Sequence, residues 1–93
     1  MIRTRFTEAF GLDHPVALAP MDGVSGGRLA AAVSHAGGLG LIGGGYADAR
    51  WLERELGEAR NAPVGVGFIT WAALKAPQAV AAALDRRPAA VMV

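Results

Sequence analysis

Few side chains in this sequence have the types and spacing that acid–base or metal chemistry needs. The 93 residues include no cysteine, which excludes thiolate catalysis and cysteine metal sites, and two histidines are too few for a histidine metal centre without outside ligands. No pair of carboxylates and no serine–histidine–aspartate set stands at a suggestive spacing. We expect His35 to place a favourable charge at a helix end and His14 to lie at the opposite, stabilising face of the fold. The sequence therefore offers no complete catalytic constellation.

The most suggestive segment is a predicted turn at residues 20–24, Pro-Met-Asp-Gly-Val, which follows a short apolar run. In parallel α/β folds the carboxyl ends of the strands carry the ligand, because loops and helix N-termini converge there. Met21 offers a soft apolar surface for a flat ring, and the backbone of the turn can hydrogen-bond the edge of a heterocycle. Asp22 is the acid best placed to touch a ligand. An ordinary turn with a buried methionine fits the same residues equally well.

Glycines fall near the same predicted rim in three further segments. Residues 38–43 match G-x-G-x-x-G, but they follow a helix and enter a strand, so we interpret them as helix–sheet packing rather than a dinucleotide site. Residues 43–46, Gly-Gly-Gly-Tyr, are expected to form a flexible loop, with a phosphate cradle as the less favoured alternative. Gly65 and Gly67 indicate tight packing or the close approach of a ligand, and Trp71 follows them as packing or as the wall of a pocket.

The elements that must position these residues alternate along the chain. Short apolar runs that predict strands begin near residues 16, 39, 64 and 89, at spacings of 23, 25 and 25 residues. Helices are predicted at residues 25–36, from Asp48 to the break at 61–63, and at 77–86, with Ser25 and Asp48 as N-caps. The predicted inner faces of these helices consist of Leu29, Val33 and Ala36; of Leu52, Leu56 and Ala59; and of Val80 and Leu84.

Strands and helices that alternate at this period predict consecutive right-handed βα units in an α/β fold with a parallel sheet. Both a doubly wound sheet and a (β/α)8 barrel have this pattern. A complete barrel needs about 250 residues, and this sequence stops inside an apolar run. We therefore expect residues 1–93 to form the N-terminal half of a TIM barrel, an incomplete domain with about four parallel strands and three helices.

The composition limits the classes of binding partner that the sequence indicates. Apolar residues make up 53% of the chain, the formal charge is +1, and no block of like charge occurs, so neither nucleic acid nor an acidic membrane surface is indicated. No run approaches the roughly 20 apolar residues that span a bilayer, and the first residues lack the apolar core of a signal peptide. We expect a cytoplasmic protein. Open strand edges favour self-association.

Three segments resemble one enzyme family. Residues 15–25, Pro-Val-Ala-Leu-Ala-Pro-Met-Asp-Gly-Val-Ser, and residues 29–40, Leu-Ala-Ala-Ala-Val-Ser-His-Ala-Gly-Gly-Leu-Gly, are similar to the amino-terminal signature of the nitronate monooxygenases. Residues 63–71, Pro-Val-Gly-Val-Gly-Phe-Ile-Thr-Trp, resemble one branch of that family. The flavin-dependent enoyl-acyl carrier protein reductases and the inosine monophosphate dehydrogenase superfamily share weaker versions of the signature.

The resemblance implies a (β/α)8 barrel with FMN at its carboxyl-terminal rim. Its Pro-Met turn, which contacts the flavin ring, corresponds here to Pro20, Met21 and Asp22, with Ala19 beside them. Many members carry an asparagine at the end of strand three where this chain has Gly67, so only a backbone contact carries over there. The family's catalytic histidine lies on a later strand, and neither histidine of this chain matches it.

In the full enzyme the resemblance implies oxidation of an alkyl nitronate, or of a nitroalkane after proton abstraction, by O2 through reduced flavin. The 93 residues alone are expected to be inactive, with no catalytic residue among them. Two alternatives stay open. One is a flavin-dependent enoyl-acyl carrier protein reductase, and the other is a non-catalytic half-barrel that associates with itself.

Overall fold

Four strands lie side by side in one parallel sheet in the computed structural model, which describes residues 2–45 and 48–93. The sheet order is β1-β2-β3-β4, the same as the order along the chain. The strands are β1 Ala17–Leu18, β2 Leu39–Gly45, β3 Gly65–Phe68 and β4 Val91–Met92. Adjacent parallel strands joined by helical crossovers confirm the predicted α/β fold, the first half of a (β/α)8 barrel.

Five helices occur in the described residues rather than the three expected. They are α1 Arg5–Phe10, α2 Gly27–His35, α3 Ala49–Ala59, α4 Thr70–Lys75 and α5 Pro77–Asp85. Helix α1 was not predicted from the sequence. Its cap is a reciprocal pair of hydrogen bonds between the hydroxyls and backbone N–H groups of Thr4 and Thr7, without the usual glutamate partner. Helix α4 was not predicted either, and its N-cap, Ile69, makes no side-chain cap bond. Both helices are too short to show an apolar period.

One predicted helix cap is confirmed and the other is wrong. Asp48 caps α3, because its Oδ1 accepts hydrogen bonds from the backbone N–H groups of Arg50 and Trp51, at 3.0 and 3.3 Å. Ser25 does not cap α2, whose N-cap is Gly26 without any side-chain bond. The Ser25 hydroxyl closes the preceding turn instead.

The main core lies between the helices and the outer face of the sheet. Its larger members are Ile42, Leu52, Leu56, Val64, Val66 and Phe68. The predicted inner face of α3 is confirmed, since its three residues are all buried. The predicted inner face of α2 is wrong at Leu29, which is 44% exposed. That of α5 is wrong at Leu84, which is 52% exposed, while Val80 packs against the core as predicted. The buried residues there are small, Gly27 and Ala30 in α2 and Ala79 and Ala83 in α5.

The inner face of the sheet carries a second, smaller cluster at its amino-terminal end. Leu12, Leu39 and Leu41 are buried there, and Phe6 from α1 packs against them. Helix α1 therefore covers the amino-terminal end of the inner face. Among the described residues, no helix is both long enough and apolar enough to cross a membrane.

Candidate functional site

A tight turn stands at the carboxyl end of β1, and one buried serine closes it. The Ser25 hydroxyl accepts a hydrogen bond from the Met21 N–H at 2.7 Å and donates one to the Met21 carbonyl at 3.2 Å. The same carbonyl accepts bonds from the N–H groups of Val24 and Ser25, at 3.0 and 2.9 Å. Gly23 takes a left-handed conformation, with φ of 73°, inside this turn. The predicted turn is thus confirmed and has a fixed shape.

The turn lies across the carboxyl ends of the next two strands because those strands have no side chains there. A Cβ atom on Gly43 would overlap the carbonyl group of Met21, and one on Gly45 would overlap the Asp22 carboxyl. A Cβ atom on Gly67 would overlap the ring of Pro20. The rim turn, defined here as residues 20–25, therefore rests on a floor of glycine backbone.

The expected flexible loop at the end of the second strand is wrong for its first three residues. Gly43, Gly44 and Gly45 belong to β2, all three are buried, and Gly45 still pairs with Phe68 of β3. A register shift between Gly43 and Gly45 marks a bulge, and the carbonyl of Gly45 accepts a bond from the Ile69 N–H at 3.1 Å. Tyr46, the last residue of that expectation, lies outside the described residues.

The rim turn exposes groups suited to a flat heterocycle. Met21 is 44% exposed rather than buried, and Ala19 and Asp22 are exposed beside it. The backbone N–H groups of Asp22 and Gly23 make no hydrogen bond to any residue that the structure describes. The site thus combines an accessible thioether, one carboxylate and free backbone donors at the carboxyl-terminal end of the strands.

The amino terminus of α2 lies at the same end of the sheet, and a carboxylate from α3 already contacts it. The Glu55 carboxylate of α3 accepts a hydrogen bond from the Gly27 N–H at 2.9 Å and lies against Gly26. A carboxylate in this position satisfies the partial positive charge that would otherwise attract an anion. The start of α2 is therefore in contact with α3 through Glu55.

Trp71 lies in α4, just beyond the end of β3. Its side chain is 54% exposed, and the Lys75 ammonium stands 5.5 Å from its ring centroid. Phe68, which precedes it in β3, is buried and packs against Gly44. The aromatic residue at the carboxyl end of β3 is therefore Phe68, while Trp71 contacts a lysine on the surface of α4.

Both histidines lie far from the rim turn, at the amino-terminal end of the sheet. The backbone N–H of His14 bonds to the Gly37 carbonyl at 3.1 Å, just before β1. His35 is in the last turn of α2, as expected. The described parts of the chain contain no group of three histidine or acidic residues that could hold a metal ion.

Comparison with known proteins identifies one matching protein family. The family model described as nitronate monooxygenase matches residues 3–92. Proteins called probable nitronate monooxygenase from Staphylococcus aureus strains JH9 and Newman are 38% identical over 59 residues, which is 63% of this chain. That match covers 17% of their own length, so the chain spans a small part of these relatives.

A solved structure shares the fold. FabK from Thermotoga maritima superimposes with a TM-score of 0.79 at 32% sequence identity, covering 94% of this chain and 29% of that protein. A mutant form of the same protein gives the same score and identity. Most of this chain therefore has a structural counterpart in part of a larger protein.

Proposed function

Since this chain belongs to the nitronate monooxygenase family, a family of flavin-dependent oxidoreductases, we propose that its residues form part of an FMN site in an enzyme that oxidises alkyl nitronates with O2. The observation that carries the proposal is the rim turn. It presents Met21 and Asp22 at the carboxyl ends of parallel strands, where (β/α)8 enzymes bind their ligands.

The described residues suit the ring of FMN better than its phosphate. A planar ring can lie against the exposed Met21 thioether while backbone groups of the turn meet its polar edge. The Gly27 N–H at the start of α2 is not free for the phosphate, because it donates to the Glu55 carboxylate. We therefore assign Ala19, Pro20, Met21 and Asp22 to the ring. Gly67 contributes by accommodating the Pro20 ring.

FMN supplies the electron-transfer chemistry when bound, and the residues of this chain bind and orient it. Neither histidine is placed to take a proton from a nitroalkane at the rim turn, since both lie at the other end of the sheet. We therefore propose that the 93 residues alone do not turn over substrate. The cytoplasmic location expected from the sequence stays a prediction.

A flavin-dependent enoyl-acyl carrier protein reductase is the second candidate. The 32% identity to FabK over 94% of this chain favours it, and the rim turn alone does not distinguish the two activities. Two assays on a polypeptide that contains these residues within the complete barrel separate them. We expect O2 uptake with an alkyl nitronate and FMN. Oxidation of NADH by an enoyl thioester, without nitronate-dependent O2 uptake, would contradict the proposal.

We also propose that the purified 93-residue chain associates with a second copy of itself. Its surface of 5701 Å² exceeds the roughly 5,000 Å² expected of a compact 9.5 kDa monomer. Leu29 of α2 is exposed, as is Leu84, which lines an apolar groove of about 470 Å³ between α4 and α5. Two four-stranded sheets supply the eight strands of a closed parallel barrel, and a net charge of +1 per copy opposes association little.

Sedimentation velocity tests this association. We expect the wild-type chain to sediment as a dimer, and Leu84→Gln to shift it toward the monomer because a buried amide weakens the apolar contact. Ile2→Gln is the matched control, since Ile2 is 68% exposed and lies outside both edges. A folded wild-type monomer at every concentration, or equal dissociation of the two variants, would overturn the proposal.

A further inference from the structure

We propose that three arginines at the amino-terminal end of the sheet bind a small oxyanion of the phosphate type. The three are Arg60, Arg86 and Arg87, and they line one cavity of about 70 Å³, named here the arginine cavity. The cavity lies at the opposite end of the strands from the rim turn, between the segments that lead into β3 and β4. The inference therefore does not rest on the proposed flavin site.

Two neighbouring turns bring these arginines together. Arg60 follows α3, while Arg86 and Arg87 follow α5. The Ala89 N–H donates to the Val64 carbonyl at 2.8 Å, so the end of the second turn is fixed beside the end of the first. Both segments then continue into adjacent parallel strands. The fold therefore holds the two turns side by side whether or not a ligand is bound.

Two of the arginines stand at positions where glycine is usual. Arg60 has φ of 56° and ψ of −123°, and its turn is closed by the Ala62 N–H, which donates to the Ala59 carbonyl at 3.1 Å. These angles are those of the first central residue of a type II′ turn, which is commonly glycine. Arg87 has φ of 52° directly after the C-cap of α5, another usual place for glycine. Because a side chain strains both backbones, the turns themselves give no reason for arginine.

The positive charge around the arginine cavity is only partly compensated. Within residues 2–45 and 48–93, the guanidinium groups of Arg60 and Arg87 make no ion pair and no hydrogen bond. Arg86 donates to the Glu53 carboxylate at 2.6 Å. A cation near a helix C-terminus offsets the helix dipole, which accounts for one arginine after each helix. It accounts neither for the second arginine after α5 nor for the shared cavity.

The chemistry and size of the arginine cavity select the ligand. Guanidinium groups donate paired hydrogen bonds to the oxygens of phosphate-like anions and stay charged at every physiological pH. Leu56, Pro63 and Val64 give the cavity apolar walls, which strengthen such bonds by limiting water. A volume of about 70 Å³ has room for several water molecules but is far below the roughly 300 Å³ of organic-ligand pockets. A free tetrahedral oxyanion is the ligand that fits.

Calorimetric titration of the chain with inorganic phosphate, at constant ionic strength, tests the site. Arg60→Gln and Arg87→Gln should each weaken phosphate binding by about tenfold or more, since each removes a charge-assisted hydrogen bond. Arg50→Gln is the matched control, because Arg50 is exposed in the first turn of α3, about 15 Å from Arg60 along the helix. It removes the same charge beyond the screening length and should change the affinity less than about twofold.

Arg60→Gly adds a readout that a purely structural arginine would not produce. Glycine relieves the strained turn and the repulsion among the three cations, so the urea midpoint in phosphate-free buffer should rise. Phosphate should raise the midpoint of the wild type, because it binds the folded state, and should raise that of Arg60→Gly much less. The variant is thus expected to be more stable than the wild type without phosphate, and to lose most of the response to phosphate.

Three results would overturn the inference. A folded wild-type chain that gives no saturable phosphate binding would show that the cavity is not an anion site. Equal weakening by Arg50→Gln and Arg60→Gln would reduce the effect to net charge. A lower urea midpoint of Arg60→Gly in phosphate-free buffer would make Arg60 a structural residue of its turn. None of these results bears on the flavin proposal, since the rim turn lies at the other end of the strands.

Discussion

Replacing Gly27 by alanine is expected to destabilise the chain by about 3 kcal/mol or more, at the upper end of what overpacking costs. A Cβ at this position would overlap the Glu55 carbonyl oxygen and would stand 2.9 Å from the Ala59 nitrogen. Both obstacles are backbone atoms of α3, so α2 and α3 would have to separate. Urea unfolding followed by circular dichroism measures the change in the free energy of unfolding.

Gly57→Ala is the matched control, because it is the same substitution within a helix. Nothing lies within 4 Å of a Cβ there, and alanine in a helix is favoured over glycine by about 1 kcal/mol. The two variants should therefore shift the unfolding midpoint in opposite directions. A neutral Gly27→Ala would mean that α2 and α3 do not pack as closely as described.

Gly43→Ala is expected to weaken FMN binding by about tenfold or more, through displacement of the rim turn rather than loss of a ligand contact. The added Cβ would overlap the Met21 carbonyl and stand 2.8 Å from the Asp22 nitrogen. A shift of about 1 Å in groups that hold a ligand is enough to produce such a loss. Fluorescence titration with FMN, on protein shown to be folded, measures the change.

Gly65→Ala is the control for the loss of stability that an added methyl group causes on the inner face of the sheet. Its Cβ would overlap a Leu41 methyl group and stand 2.7 Å from the Ala90 carbonyl oxygen, away from the rim turn. Both variants should lose stability, and only Gly43→Ala should lose affinity beyond that. Equal losses of affinity would remove the rim turn from the FMN site.

The architecture could be predicted because the spacing between predicted strands is nearly constant along the sequence. Strand starts at near-constant spacing anticipated the parallel order of the sheet, and the wide apolar face of α3 was read correctly. The same reasoning failed for α2 and α5, where Ala30 and Ala79 are buried while Leu29 and Leu84 are exposed. In these two helices the small residues pack inward and the larger apolar residues are exposed, which a pattern of apolar positions alone does not distinguish.

The position of the rim turn was predicted from the sequence, but its construction was not. Pro20, Met21 and Asp22 lie together above the strand ends, and their role in cofactor binding stays a prediction. The sequence could not show that Ser25 would serve the turn instead of capping α2, since both uses need a buried hydroxyl next to free backbone groups. Nor could it show that the Pro20 ring lies where a side chain at position 67 would stand.

Amide NMR spectra of the chain, recorded during a titration with FMN, test the central claim most directly. The account predicts saturable shifts at Asp22 and Gly23 of the rim turn and at Gly43 and Gly45 beneath it, with little change near His14. No shift at any of the four, or shifts confined to the amino-terminal end of the sheet, would contradict the claim that this rim binds the flavin.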